Sequence, residues 1–386
     1  MTAASPFQDR AAIVGIGQSQ LGKGLGDSER SLAVTAVRAA LEDAGIAPSE
    51  VDGLTSFSME VTQAEEIALD LEMGDIGFIA LSPAGGGGGC AVAGYGAMAV
   101  ATGQANVVVA WRSRKRSGRS SRVWAGTPER IYGRDMWVRP SGLVRPVDDI
   151  ATLARRHMHE YGTTRDHFAN VALACRAHAN RNPTALMYDR PLDRATYMAA
   201  RPIAEPLGLY DCCLETDGAM AIVMVSAERA RDCRKPPAYI HSFAQGISDG
   251  SQMMTNFFAA NPLRSQSWAA AQGLWARSDI KPKDIQVAQI YDAFSPEVIF
   301  SLEGYGFCKA GEGGFFTEDG VIELGGRLPI NTSGGGLSEV YLHGFNLILE
   351  GVRQVRGEST AQVADVSAGF VSSSDGVPTS ALVLRA

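Results

Sequence analysis

Apolar and polar positions along the first hundred residues follow two rhythms. "RAAIVGIG" (Arg10–Gly17) reads as a first strand. "SLAVTAVRAALEDAG" (Ser31–Gly45) instead places Val34, Val37, Leu41 and Ala44 on one face of a helix, with Gly45 as its stop. "IAPSEVDGLTSF" reads as a turn followed by a strand. "CAVAGYGAMAVATG" reads as a buried helix ending at Gly103, and "ANVVVAW" (Ala105–Trp111) as a fully buried strand. Strand and helix in alternation, with strands this apolar, predict an α/β fold with covered sheets.

The second half repeats the first. "ALEDAGIAPSEVDGLTSF" (Ala40–Phe57) matches "GLWARSDIKPKDIQVAQIYDAF" (Gly273–Phe294). Ile46, Pro48, Val51 and Phe57 correspond to Ile280, Pro282, Ile285 and Tyr291 at one constant offset. "AMAVATGQANVVVAW" is echoed by "LILEGVRQVRGESTAQVADVSAGF", again helix, glycine, strand. An internal repeat outranks local signals. It predicts two similar α/β halves, residues 1–235 and 236–386, with their boundary near "RDCRKPPAY" (Arg231–Tyr239). The segment Arg112–Arg201 has no equivalent in the second half and reads as an insertion of loops and helices.

Bulk properties narrow the function classes. A chain of 386 residues has ample core, and a net charge of −7 argues against nucleic acid as a partner. No apolar run reaches the roughly 18 residues that span a bilayer. "MTAASPFQDRAAIVGIG" has no basic region leading into an apolar one, as a secretory signal would. The six cysteines, Cys90, Cys175, Cys212, Cys213, Cys233 and Cys308, are scattered without a CxxC pair. That fits reduced thiols in a cytoplasm.

Several motifs have a functional and a plain structural reading. The glycine run Gly85–Gly89 lacks the Gly-Lys-Ser/Thr ending of a phosphate loop and is too apolar in its surroundings for a linker. It suits a close backbone approach, either tight packing or a helix start presenting free N–H groups. "GIG" (Gly15–Gly17) lacks the third glycine of a dinucleotide fingerprint and reads as a strand end. "GISDG" (Gly246–Gly250) matches a hydrolase serine motif, but "SQMMTNFF" behind it is a poor buried helix. "HMHE" (His157–Glu160) sets two histidines two apart, which diverge on a helix and do not suit zinc. Cys212 and Cys213 read as core thiols. The basic run "RSRKRSGRSSR" (Arg112–Arg122) is either a solvated loop or an anchor for a phosphorylated ligand or an acidic partner. "IYDAFSPE" (Ile290–Glu297) and "INTSGGGLSEVYLHGF" (Ile330–Phe345) each place a tyrosine in a loop-like, glycine-bearing segment after a strand. Two phenols at equivalent loop ends form a candidate acid–base pair.

These segments resemble the thiolase superfamily, in its sterol-carrier and lipid-transfer branch. The resemblance runs through "AAIVGIGQSQLGKG", "LEDAGIAPSEVDGL", "MAVATGQANVVVAW", "ETDGAMAIVMVSAERARD", "YDAFSPEVIFSLEGYGFC" and "NTSGGGLSEVYLHG". It implies a duplicated five-layer α/β/α/β/α fold. Thiolases carry a nucleophilic cysteine at the start of the buried central helix. Counting back from Gly103 at that family's spacing lands on Gly86, and Cys90 lies a helical turn deeper. The histidine of the thiolase Gly-His-Pro motif corresponds to Tyr341, and the Asn or His before its "E/D-A/C-F" to Tyr291. No cysteine follows Cys308 to match the second thiolase cysteine.

Without a nucleophile no acyl-enzyme forms, but the same pocket can cleave a β-hydroxyacyl-CoA by retro-aldol chemistry. The chain is similar to thiolase-like aldolases that shorten steroid or bile-acid side chains, which carry tyrosines at both positions. The resemblance implies a steroid acyl-CoA substrate, a ketone or aldehyde product with propionyl-CoA or acetyl-CoA, and no cofactor in the chain itself. It implies a homodimer joined to a small zinc-ribbon/OB-fold partner as a heterotetramer, with any zinc in that partner. Tyr341 is expected as base and Tyr291 as proton donor, or the reverse, with Asp292 and His343 in support. Gly86, Gly334, Gly335 and Gly336 are expected to make room and offer backbone donors. Arg112, Arg114, Lys115 and Arg116 are expected at CoA phosphates or the partner. The alternatives are an atypical thiolase using Cys90 or Cys308, and a non-catalytic acyl-CoA-binding subunit.

Overall fold

The computed structural model describes residues 7–83, 85–117, 131–254 and 256–386. Residues 118–122 of the basic run lie outside them. The apolar stretches become strands β1 (Ala11–Gln18), β2 (Gly53–Phe57), β3 (Phe78–Ser82) and β4 (Val107–Lys115). A short ribbon, β5 (Pro202–Ala204) and β6 (Leu207–Gly208), precedes β7 (Asp217–Ser226) and β8 (Ala238–Gly246). Then come β9 (Val287–Gln289), β10 (Ala368–Ser372) and β11 (Thr379–Arg385). Apart from the ribbon they lie in the order β3-β2-β4-β7-β1-β8-β11-β10-β9.

Read outward from the centre, the two halves of this sheet have one topology. β1 pairs antiparallel with β7, β7 antiparallel with β4, and β4 parallel with β2. β8 pairs antiparallel with β11, β11 antiparallel with β10, and β10 parallel with β9. The halves meet where β1 pairs with β8, at Ala12–Tyr239 and Ile13–Ala238.

Helices complete five layers. α1 (Glu29–Ala44) covers the outer face of β1, β7 and β4, and α2 (Ala64–Asp70) packs beside it. α3 (Gly89–Ala101) is sandwiched, packing on β2, β4 and β7 on one side and on β8 and β11 on the other. The insertion contributes α4 (Asp135–Val138), α5 (Pro146–Tyr161), α6 (Arg165–Ala179) and α7 (Arg194–Met198); a short α8 (Ala227–Ala230) follows β7. α9 (Gln266–Ala276) covers β8 and β11 from outside. α10 (Ser295–Gly304), α11 (Gly335–Ser338) and α12 (Phe345–Arg356) follow, with α12 joining α3 in the central layer against β9 and β10.

α1 starts on Ser28, whose side chain accepts from the Ser31 N–H, and stops at Gly45 with φ 72°. Its buried stripe is wider than four residues: Ala33, Ala36 and Ala40 are buried and Val34 is only half-buried. Alanines face the sheet because the helix crosses β1 very closely. A Cβ on Gly17 would sit 2.2 Å from the Ala36 carbonyl oxygen, and one on Gly246 of β8 2.2 Å from the Ala270 amide of α9. "GIG" is therefore a helix-crossing point repeated in both halves.

The repeat extends to single hydrogen bonds. Pro48–Glu50 and Pro282–Asp284 form equivalent helical turns. The Asp52 carboxylate accepts from the amides of Asn106 and Val107 at 2.8 and 2.9 Å. Its counterpart Gln286 accepts through Oε1 from the amides of Ser367 and Ala368 at 2.6 and 3.0 Å. Phe57 at the end of β2 and Tyr291 just after β9 are equivalent, and each faces a glycine before a central helix. A Cβ on Gly88 would meet Phe57 Cε1 at 3.0 Å, and one on Gly344 would meet Tyr291 Cδ2 at 2.8 Å.

The insertion opens later than expected, because β4 runs on through Lys115. It is tied to the second half by buried polar groups. Asp211 accepts from the hydroxyls of Tyr197 and Ser295. His157 joins Glu303 at 2.9 Å and Thr163 at 2.8 Å, while His159 is exposed. Among the described residues no helix is long and apolar enough to cross a membrane.

Candidate active site

The second half brings two phenols together. The Oη atoms of Tyr291 and Tyr341 are 2.6 Å apart, with the rings edge to face at 69°. Tyr291 is 3 % exposed, whereas Tyr341 keeps part of its surface open. Each backbone is fixed from a distant segment. The Tyr291 N–H donates to Ser372 Oγ at 3.3 Å. Thr216 Oγ1 accepts from the Tyr341 N–H and donates to the Tyr341 carbonyl, both at 3.1 Å. Asp292, next to Tyr291, accepts from the amides of Gly336 and Leu337 at 2.7 and 3.2 Å. It thereby joins the loop of one tyrosine to the turn that leads to the other.

Gly86 is where the phenols meet the glycine run. A Cβ there would lie 2.3 Å from Tyr291 Oη and 3.1 Å from Ser374 Cβ. The Gly86 carbonyl accepts from the Ser374 amide at 3.0 Å. The space in which a side chain at 86 would begin is filled by the phenol.

Charge is distributed unevenly around the pair. The Arg116 guanidinium lies 5.6 Å from the centre of the Tyr341 ring, and its charge favours the Tyr341 phenolate. On the Tyr291 side stands Glu297, 2 % exposed, whose Oε1 accepts from Ser374 Oγ at 2.7 Å. Burial pushes both phenols above their ordinary range, and the Glu297 carboxylate adds to this. Burial holds Asp292 up at about 6 and Glu297 up at about 8.

His343 flanks Tyr341, its ring centre 5.4 Å away. Its Nδ1 lies 2.8 Å from an Arg112 nitrogen. A guanidinium only donates, so Nδ1 accepts and the imidazole proton sits on Nε2. Burial and the charges of Arg112, Arg116 and Arg114 push His343 well below its ordinary value, so it is neutral.

Two expectations require correction. Arg112 is neither in a solvated loop nor open to a phosphate: it is 0 % exposed and ion-paired to Glu60 at 2.9 Å. It sits inside β4, where alternation turns it toward His343 and the Phe57 ring. Lys115 turns back onto its own domain, donating to the carbonyls of Leu25 and Asp27, while Arg114 is half-buried. Gly334, Gly335 and Gly336 do not line open space either. The Gly334 and Gly336 amides are already bonded to Asn331 and Asp292, and a Cβ on Gly335 would run into the Asp292 carboxylate at 2.2 Å. These glycines cradle an aspartate.

Thr216, Ser374, Glu297 and Glu60 were not singled out from the sequence. The one local signal was "SPE" behind "IYDAF", which puts Glu297 on the first turn of α10. The thiols offer no rival nucleophile. Cys90 is buried, its Sγ against the Val371 carbonyl, and burial pushes it up to about 12. Burial also raises Cys308 and, beside the phenols, Cys213. Ser248 of "GISDG" lines an open cleft of about 410 Å³ with Asp249, Asn261 and Arg264, but its hydroxyl donates to the Ser265 carbonyl. No helix follows it directly, so it is no nucleophile elbow.

Residues 251–384 match the family described as thiolase C-terminal domain-like. The chain is 45 % identical, over 97 % of its length and 99 % of the relative's, to the 17-hydroxy-3-oxo-4-pregnene-20-carboxyl-CoA lyase of Mycobacterium tuberculosis. It is 44 % identical to the steroid side-chain-cleaving aldolase of Thermomonospora curvata, over 97 % of this chain and 98 % of that one. Among solved structures, the Ltp2-ChsH2(DUF35) aldolase superposes with a TM-score of 0.93 at 43 % identity over 98 % of both chains. Human mitochondrial 3-ketoacyl-CoA thiolase, 14 % identical over 99 % of this chain and all of its own, shares the fold with a TM-score of 0.71. At this identity over nearly the whole length of both relatives, the chain belongs to the steroid side-chain-cleaving aldolases of the thiolase superfamily.

Proposed function

We propose that this chain is a carbon–carbon lyase that cleaves the β-hydroxyacyl-CoA thioester of a steroid side chain by a retro-aldol reaction. The observation that carries the reading is the 2.6 Å contact between the two phenols at a Gly86 that has no side chain. Tyr341, the more accessible phenol and the one nearer Arg116, accepts the proton of the substrate hydroxyl as it passes its own proton across the short contact to Tyr291. The carbinol carbon becomes a carbonyl, and the Cα–Cβ bonding pair moves onto the thioester as an enolate. Tyr291 gives its proton to Cα. Each phenol thus gains one proton and gives one up, so the site is reset without proton uptake. A tertiary hydroxyl, as in the 17-hydroxy thioester of the mycobacterial relative's name, would leave a ketone, and a three-carbon fragment would leave as propionyl-CoA.

A small zinc-ribbon/OB-fold protein is the proposed partner, in keeping with the complex named for the structural relative. The chain is proposed to pair with itself through β3, an edge strand that exposes Ile79 and Leu81. Six unpaired cysteines support a cytoplasmic setting. The test is to co-express the chain with a partner of that type and incubate it with a β-hydroxy steroid-CoA. Mass spectrometry should find a short acyl-CoA and a shortened steroid, and neither with Tyr341→Phe. Loss of turnover on thiol alkylation, with the pocket protected by substrate analogue, would instead indicate sulfur catalysis.

A further inference from the structure

Glu297 and the two carboxyls coupled to it, Asp292 and Asp375, are buried, and they are not equally satisfied. Asp292 accepts two backbone N–H groups. Asp375 accepts from Ser265 Oγ, Ser267 Oγ and the Ser267 N–H. Glu297 has the Ser374 hydroxyl, and the nearby Gly376 N–H is shared with Ser374. Among the described residues no lysine, arginine or histidine is ion-paired with it. From α5, His157 engages Glu303, and from α6, Cys175 faces Asp292. α9 brings Ser267, which serves Asp375. The ionisable groups coupled to Glu297 include Tyr291, Tyr341, Cys213, Asp292 and Asp375, all of which become anions, while the Arg116 guanidinium lies over the Tyr341 ring. A carboxyl with so few donors and no countercharge is the one that keeps its proton.

We propose that Glu297 is a positioning residue of the aldolase site that works as an uncharged acid, acting on Tyr291 through Ser374 and Gly86. This rests on the retro-aldol reading above. Ser374 lies against Gly86 on the side where the Tyr291 hydroxyl fills the missing side chain. While Glu297 is neutral, the developing enolate and phenolate are the only new negative charge the site must hold. Once Glu297 ionises, a second anion opposes that charge and turnover falls. The raised proton affinity of Glu297, at about 8, places this change just above neutrality.

The test compares wild type, Glu297→Gln and Ser374→Ala, each with the partner, on a β-hydroxy steroid-CoA from pH 6 to 9. With a group at about 8, wild-type kcat/KM at pH 9 should be about tenfold below its neutral plateau. Glu297→Gln, uncharged and of equal size, should keep its activity at neutral pH and lose this alkaline fall. Infrared difference spectra at neutral pH should contain a carboxylic-acid C=O band that Glu297→Gln removes and Ser374→Ala shifts. The inference is overturned if that band is absent, if folded Glu297→Gln is inactive at every pH, or if its alkaline limb is unmoved. Absence of aldol cleavage in wild type would instead overturn the function itself, while the infrared band would still report on Glu297.

Discussion

The phenol of Tyr291 occupies the volume in which any side chain at Gly86 would begin, with 2.3 Å between Oη and the ideal Cβ position. A side chain at position 86 and this phenol thus exclude each other. Gly86→Ala should displace the phenol and cost about 1–3 kcal/mol of stability, as overpacking does. Turnover should fall about a hundredfold, because a reacting group moves by an ångström or so. Gly86→Cys should show the same losses and no thiolase activity. Denaturation curves and product analysis of the two variants check this.

Removing either phenolic oxygen should break the proton circuit. Tyr341→Phe and Tyr291→Phe should each lower kcat by about 10²–10⁴. Tyr341→Phe should barely change stability, since Tyr341 is partly exposed. Turnover in mixed light and heavy water should give a curved proton inventory in wild type, with more than one proton in flight.

Thr216 holds both ends of the Tyr341 peptide unit. Thr216→Val keeps the shape and removes both bonds. It should lower kcat while leaving KM near the wild-type value, and cost about 1–3 kcal/mol for the buried groups left unpaired. Steady-state kinetics beside thermal unfolding separates these effects.

The Arg112–Glu60 pair is buried on both sides. Arg112→Met strands the Glu60 carboxylate and should destabilise the chain by about 3–5 kcal/mol. Adding Glu60→Gln should recover much of this, because the stranded charge is then gone. Urea unfolding of the single and double variants gives the answer.

Stability should fall as pH rises from 6.5 to 8. Burial raises Glu339 to about 7 and Glu297 to about 8 from an ordinary 4.5, so the folded chain holds these protons more tightly than the unfolded one. The stabilisation they bring is lost as pH climbs through those values. His178 works oppositely: lowered to about 4 from 6.5, it favours the folded chain increasingly as pH rises to 6.5 and adds nothing further above that. The unfolding midpoint should therefore decline above pH 6.5, and less steeply in Glu297→Gln. A thermal series across buffers of equal ionic strength measures both slopes.

What the sequence disclosed, and what it hid, follows from the range of the interactions. The offset that pairs Phe57 with Tyr291 is written in local turns and capping residues, so both halves and the place of Tyr291 are readable. The count back from Gly103 lands on Gly86, in the short turn ahead of α3, which the structure sets against the Tyr291 hydroxyl. Arg112 was misjudged because its charge hides that β4 continues past Trp111, and the strand's two-residue period then carries it inward. The glycines 334–336 look like an open pocket until Asp292, more than forty residues earlier, is seen to fill it. Thr216, just before β7, and Ser374, just after β10, give no local sign.

The equivalence of Phe57 and Tyr291 has an evolutionary reading. Duplication of the ancestral half supplied two matching aromatic seats, each closed by a glycine, and the twins now differ by a single oxygen. One carries the hydroxyl that meets Tyr341 at 2.6 Å, while the other carries none and stacks against Arg112, the hydrogen-bond partner of His343. Such a division of labour lets selection alter the chemistry of one copy without disturbing the scaffold built from both.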